Sequence, residues 1–436
     1  MKAVLKRQVF YVQIQLESPL NVASGEDEWT DADVLRDFEG NPFVPGTSLA
    51  GAMRSYIGER ENEWNLFGYS VDNTRGKMSP LFISDLTFDE APVWGIRDGV
   101  GLNENKVAKA GCKYDMEILE TGLKGHFYLE LVIREEDDET MMKRELSTVF
   151  YGIQQGEIRL GRKKTRGFGA IKIVKLESKI YDQENYLEYA GAYEDAAWEN
   201  AANELESWLA EAGDSSRMVQ IRVPLAMRGG ISIRQYAAKK GEPDFVHLTI
   251  YSAPNEKPVI PGSSFAGAIR HRVSQILSEL ADSGAKLPVS AGEITKRMFG
   301  DAADQDGHAS NIIISEAQIE GARPLTMVRT GISRFESAVK DGTLYKEKTY
   351  VGGHFTLEIA VRKGKDPEEG RWMIGILLLA LKDLQNGYLA VGGQTAVGRG
   401  TFSPNGPISI DGQTGLENEL TAEAFKGLCA EMGGRE

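Results

Sequence analysis

The chain is written twice, and this internal repeat restricts its architecture more than any other feature. VPGTSLAGAMR (Val44 to Arg54) returns as IPGSSFAGAIR (Ile260 to Arg270), 216 residues later. LFG (66–68) returns as MFG (298–300), LFISDL (81–86) as IIISEA (312–317), and KGHFYLELVI (124–133) as GGHFTLEIAV (352–361). Last, GEIRLGRKKTRGFG (156–169) returns as GYLAVGGQTAVGRG (387–400), by then 231 residues apart. Five blocks in one order mean two copies of one supersecondary unit. The extra spacing enters between the first two blocks, where the second copy carries a longer helix and loop from Val273 to Lys296.

Within each copy an alternating strand (Val9 to Leu16; Val219 to Pro224) leads through a loop and a PG turn into a helix. More strands follow, then a helix (Met141 to Ile153; Trp372 to Leu384) and a glycine-rich hairpin closing on another strand. Period-2 patterns that return after each period-3.6 pattern predict an α+β fold of the split βαβ type. The expected limits are 1–180 and 216–412 for the two copies, 181–215 for a connector and 413–436 for a tail. In the connector Ala197, Trp198, Ala201, Leu205 and Leu209 fall at helical spacing, which predicts an amphipathic helix.

Charge divides along the same lines. The formal net charge is -14, but ten acids and no Lys or Arg lie between Asp182 and Asp214, and the stretch from Asp411 to Glu436 has six acids against two bases. Outside those segments 48 acids balance 48 bases. A neutral body with local basic patches is compatible with a polyanionic partner. No apolar run approaches the ~18 residues that cross a membrane, and the first twenty residues alternate like a strand, so a cytoplasmic protein is expected. Two cysteines, Cys112 and Cys429, and five histidines without an HExxH pair give no basis for structural zinc.

Three regions carry chemistry. After each PG turn, Thr47 or Ser48 suits a helix cap whose amides fit a phosphate, which marks Gly46 and Ser48 and their repeats Gly262 and Ser264. Ala50, Gly51 and Ala52 suit close packing on a sheet, and Arg54 recurs as Arg270. The glycine-rich segment of the first copy holds Arg159, Arg162, Lys163, Lys164 and Arg166, a composition fit for a phosphodiester track; it is not a P-loop, because GxxxxGK[ST] is absent. The second copy keeps the glycines and Arg399 alone, so its glycines are expected to be architectural. His126 and His354 recur before an apolar strand and are expected to be packed or capping residues. Ahead of the PG turns, GEDEWTDADVLRD and KKGEPDFVHL offer Asp31 or Asp33 as the counterpart of Asp244, with His247 close behind.

Set side by side, these blocks resemble the RAMP superfamily of CRISPR-associated proteins, specifically the backbone subunits of type III RNA-guided effector complexes, here as a tandem fusion. The carrying residues are the two PG helices, the LFG and MFG turns, RDGVGLNENKVAKAGCKYDMEIL, VRTGISRFESAVKDGTLYKEKTY, GRKKTRGFG and GGQTAVGRG. The resemblance implies two RRM-like, ferredoxin-like palms with thumb-like hairpins near Arg97 to Leu119 and Arg329 to Tyr350, which adds Arg97 and Arg329 to the RNA-binding set. It further implies a guide CRISPR RNA, a complementary target RNA and other effector subunits, including the large polymerase/cyclase-type subunit, as partners, and no membrane. The family's cleaving members use one Asp before the PG turn to cut target RNA every six nucleotides, which here falls on Asp31 or Asp33 and on Asp244. An endoribonuclease assisted by a divalent cation, Mg or Mn, is the implied activity, with no organic cofactor. Its rivals are a non-catalytic scaffold on guide RNA and a stand-alone two-domain enzyme acting on a small ligand.

Overall fold

The computed structural model describes residues 3–23, 25, 30–58, 66–70, 76–102, 107–199, 201–236, 243–252, 255–301, 307–364 and 370–432. Parts of the expected acidic loops (26–29 and 239–242), of the first hairpin (103–106) and of the tail (433–436) lie outside them. The chain divides into two compact units, one of residues 1–99, 113–164 and 168–217, the other of 100–112, 165–167 and 218–436.

The first copy runs β1 (Val4–Leu16), α1 (Gly46–Gly58), β2 (Leu81–Ile83), β3 (Leu86–Phe88), a hairpin of β4 (Trp94–Leu102) and β5 (Ala108–Leu119), then β6 (Lys124–Arg134), α2 (Glu139–Gln154) and β7 (Ile171–Tyr181). Its antiparallel sheet has the order β7-β1-β6-β3, with β2 also on β6. Because β2 and β3 together serve as one broken strand, this is the 4-1-3-2 order of a ferredoxin-like split βαβ. Alternation decides which face closes: Phe10, Val12, Ile14 and Leu16 on β1 join Phe127, Leu129 and Leu131 on β6 against Leu49 and Met53 of α1 and Leu146, Val149, Phe150 and Ile153 of α2.

The second unit repeats the plan. After α3 (Leu205–Ala212) in the connector come β8 (Met218–Arg228), β9 (Phe245–His247), α4 (Gly262–Asp282), α5 (Ala291–Phe299) and β10 (Ile312–Ile314). The hairpin is β11 (Arg323–Arg329) with β12 (Tyr345–Val351), followed by β13 (His354–Arg362), α6 (Arg371–Asn386), β14 (Thr401–Pro404), β15 (Ser409–Ile410) and α7 (Glu417–Met432). The sheet order β10-β13-β8, with β14 and β15 beyond β8, is 4-1-3-2 again.

Five local expectations need correction. The connector is not one helix: two 3-10 turns (Tyr186–Gly191 and Asp195–Trp198) precede the eight-residue α3. Trp198 is buried on the outer face of the first sheet, stacked on Tyr11 and donating its Nε1 proton to the Ala192 carbonyl. Asn203 Oδ1 accepts from both Leu176 and Leu205, which starts α3 afresh rather than continuing a longer helix. The acidic tail is not a tail: Leu420, Ala424 and Leu428 repeat every four residues and bury α7 in the second core.

Neither Thr47 nor Ser48 caps α1, because the helix begins at Gly46 and the Pro45 carbonyl takes its first amides. In α4 the cap is Pro261, with no side-chain cap. Gly51 and its repeat Gly267 face open space, so they do not bring the helix onto the sheet. Gly46 and Gly262 do that: a Cβ there would lie 2.4 Å from the Ile83 carbonyl oxygen and 2.2 Å from that of Ile314. Finally, the glycine-rich segments are loops rather than strand hairpins, each with a 3-10 turn at its tip (Lys164–Arg166; Thr395–Val397).

Candidate nucleic-acid interface

Hydrogen bonds fix the register of the two acidic loops. The Leu35 amide donates to the Val22 carbonyl and the Leu248 amide to the Ile233 carbonyl, each at 2.8 Å. Counting back from these paired leucines sets Asp31 opposite Asp244. The hairpins agree: Asp31 Oδ2 accepts from the Asp115 amide at 2.9 Å, and Asp244 Oδ2 from the Lys346 amide at 2.7 Å. Asp115 and Lys346 each follow a matched tyrosine, Tyr114 and Tyr345, on the return strand of the hairpin. Both aspartates are solvent-exposed.

Asp33 has a different place. It is buried, and its Oδ1 accepts from the Thr30 amide at 2.9 Å and the Thr30 hydroxyl at 2.8 Å, closing a turn. His247, which follows Asp244, is also internal: Nδ1 accepts from the Ile233 amide and Nε2 donates to the Val259 carbonyl. Burial lowers its pKa to about 4, so the ring is neutral. His126 Nδ1 donates to Asp89 Oδ1, 2.6 Å away, and the ring stacks on Tyr11, while His354 lies 3.8 Å from Glu320.

Two comparisons with known proteins bear on this arrangement. The model of the RAMP superfamily matches residues 13–172 and again 221–403, one span for each copy. The chain belongs to the RAMP superfamily. A relative from Streptococcus thermophilus, the CRISPR system Cms endoribonuclease Csm3, is 27% identical over 195 residues, 88% of that protein and 39% of this chain. That relative therefore aligns with less than half of this chain.

Measured against that RAMP plan, the expected RNA-binding residues separate into two groups. Arg97 is buried, and its guanidinium donates to both oxygens of Glu120 at 3.0 and 3.2 Å, joining the two arms of the first hairpin. Burial pushes Glu120 up while Arg97 opposes it. Arg399 is buried too, donating to Thr349 Oγ1 at 3.0 Å and lying 3.9 Å from Glu347. Arg329 shares that carboxylate, also at 3.9 Å. Burial raises the Glu347 pKa, but the bonds from Ser232 and Gln394 and the two arginines outweigh it and hold it ionised. Arg97 and Arg399, expected on the RNA, are thus held in internal ion pairs, which a single sequence does not reveal because each partner is distant along the chain.

Arg162, Lys163 and Lys164 are exposed in the first glycine-rich loop, and Arg166 is half-buried. Lys163 Nζ donates to Tyr114 Oη at 3.0 Å and lies over that ring, so this loop and the hairpin carrying Asp115 are tied together. Beneath the tip, Gly169 and Gly400 take φ of +76° and +71°, and a Cβ on either would come 1.9 Å from the Leu160 or Val391 carbonyl oxygen. These glycines are architectural in both copies. Arg54 is exposed and Arg270 half-exposed on their helices, with Ser48 exposed and Ser264 half-exposed in the first turns. At the head of α1, Asp85 Oδ1 accepts from the Gly46 amide at 2.7 Å, so a carboxylate holds the place expected for a phosphate. Sequence reasoning missed Asp115, Glu117, whose carboxylate accepts from the Val34 amide and Arg36, and Asn21, whose Nδ2 donates to the Ala32 and Glu117 carbonyls; their only signal was proximity to the matched blocks.

Proposed function

We propose that this RAMP protein is a guide-RNA-binding backbone subunit of a type III CRISPR effector complex, and that each copy cuts complementary target RNA once, at Asp31 and at Asp244. The supporting observation is the shared register: two exposed aspartates, each accepting from an amide of a hairpin's return strand, that of Asp115 or of Lys346. RNA brings its own nucleophile, the 2'-hydroxyl, and a protein that fixes a distorted nucleotide beside a carboxylate supplies several kcal/mol through orientation. Asp31 and Asp244 then take the hydroxyl proton. Base pairing with the guide selects the sequence, as in other RNA-guided systems.

A divalent cation fits the first copy as a hydrated ion. Asp31 and Asp115 exchange amide hydrogen bonds, 3.1 Å from the Asp31 amide to Asp115 Oδ1, so two carboxylates lie side by side. Among the described residues no three His, Cys, Asp or Glu side chains converge, so these two would hold Mg or Mn through water, where it would neutralise phosphate charge. In the second copy the position of Asp115 is taken by Lys346.

The test is the assembled complex carrying both Asp31→Asn and Asp244→Asn. An isosteric loss of charge spares uniform binding and removes the proton acceptor. The complex should keep its guide RNA, seen as an unchanged 260/280 nm ratio, and bind target while failing to cut it. Continued cutting at both positions would assign the chemistry to another subunit and leave this chain a scaffold.

A further inference from the structure

We propose that Asn21, with Thr30 beside it, is a positioning residue of the first site that fixes the loop bearing Asp31 onto the return strand of the hairpin. This rests on the reading of Asp31 as the cutting residue. Asn21 is completely buried just beyond β1, in a stretch with no residue of the acidic motif. Its Nδ2 donates twice, to the Ala32 carbonyl at 2.9 Å and to the Glu117 carbonyl at 2.7 Å. Its own carbonyl accepts from the Arg162 amide at 2.9 Å. One side chain and its peptide therefore join three segments: the Asp31 loop, the return strand that carries Asp115, and the basic loop that carries Arg162.

Thr30 closes the same junction from the other side. Its hydroxyl accepts from the Ala32 and Glu117 amides, both at 3.2 Å, and donates to buried Asp33. Bonds on both sides of Asp31, at Thr30 and at Ala32, leave its peptide little freedom, and its carboxylate is set against the Asp115 amide as a result. The second copy is built otherwise. Ser232 occupies the place of Asn21, since its carbonyl accepts from the Gly393 amide as that of Asn21 does from Arg162, but its hydroxyl donates to Glu347 instead. The second site is therefore an internal control within one chain.

The experiment uses the guide-loaded complex with Asn21→Ala and, separately, Thr30→Val, beside Asp31→Asn as reference. Single-turnover rates are read for each product at saturating target, and target affinity is measured on its own. Displacing a reacting group by about 1 Å can cost about 100-fold, so the product of the first copy should slow by roughly 10- to 100-fold. Affinity and the product of the second copy should stay at the parental level. Thr30→Val keeps shape and removes only the hydroxyl, so it decides the matter if Asn21→Ala does not assemble. Parental rates in both variants, with Asp31→Asn inactive at that position, would overturn the positioning role, as would equal loss of both products. If Asp31→Asn still cuts there, the reading of Asp31 falls and the positioning role with it.

Discussion

At the scale of single residues, burial separates groups that look alike in one dimension. Asp31 and Asp33 both precede apolar residues, yet Asp33 is spent on its own turn while Asp31 faces solvent. His247 is the clearest case of a residue with internal work only. Its pKa drops from 6.5 to about 4 because burial penalises the charged ring. A depressed histidine contributes stability that is complete above pH 6.5 and is lost as pH falls toward 4; a shift of this size corresponds to about 3 kcal/mol. The unfolding midpoint of the second unit should therefore fall across that window, and in a His247→Asn variant the fall should be largely gone. A midpoint with the same pH dependence in both proteins would contradict this. What sequence did not disclose here was partnership: Arg97 and Arg399 carry charge suited to RNA, but Glu120, Thr349 and Glu347 hold them from distant points of the chain.

At the scale of elements, helices and strands with strong periodicity were legible and the segments between them were not. The spacing that predicted Met141 to Ile153 and Trp372 to Leu384 places both helices within a few residues of α2 and α6. The connector misled because apolar residues at helical spacing also suit successive 3-10 turns laid across a sheet, where Trp198 and the Glu130 carboxylate, bonded by Arg7, Tyr189 and Tyr193, hold it. The basic loop makes the sharpest prediction at this scale. Replacing Arg162, Lys163 and Lys164 by Ala should weaken RNA binding whatever its sequence and lower the salt slope by roughly 0.7 log units per lost phosphate contact on single strands. An unchanged slope would remove this loop from the RNA path.

At the scale of the molecule, duplication explains why so much was readable. Each copy confirms the other's strand order, and β-sheet registers that no pattern could assign become assignable once Leu35 and Leu248 are seen to make the same bond. Divergence then gives the copies different surroundings, with a carboxylate beside Asp31 and Lys346 beside Asp244. On the proposed function, two equivalent aspartates in two copies predict two cuts, with six nucleotides or a multiple of six as the proposed separation. The most direct measurement is product mapping on an end-labelled target with the guide-loaded complex carrying Asp31→Asn or Asp244→Asn alone. Each variant should lose one band and keep the other, at unchanged target affinity. Loss of both bands in either variant, or of neither in both, would contradict one cutting site per copy.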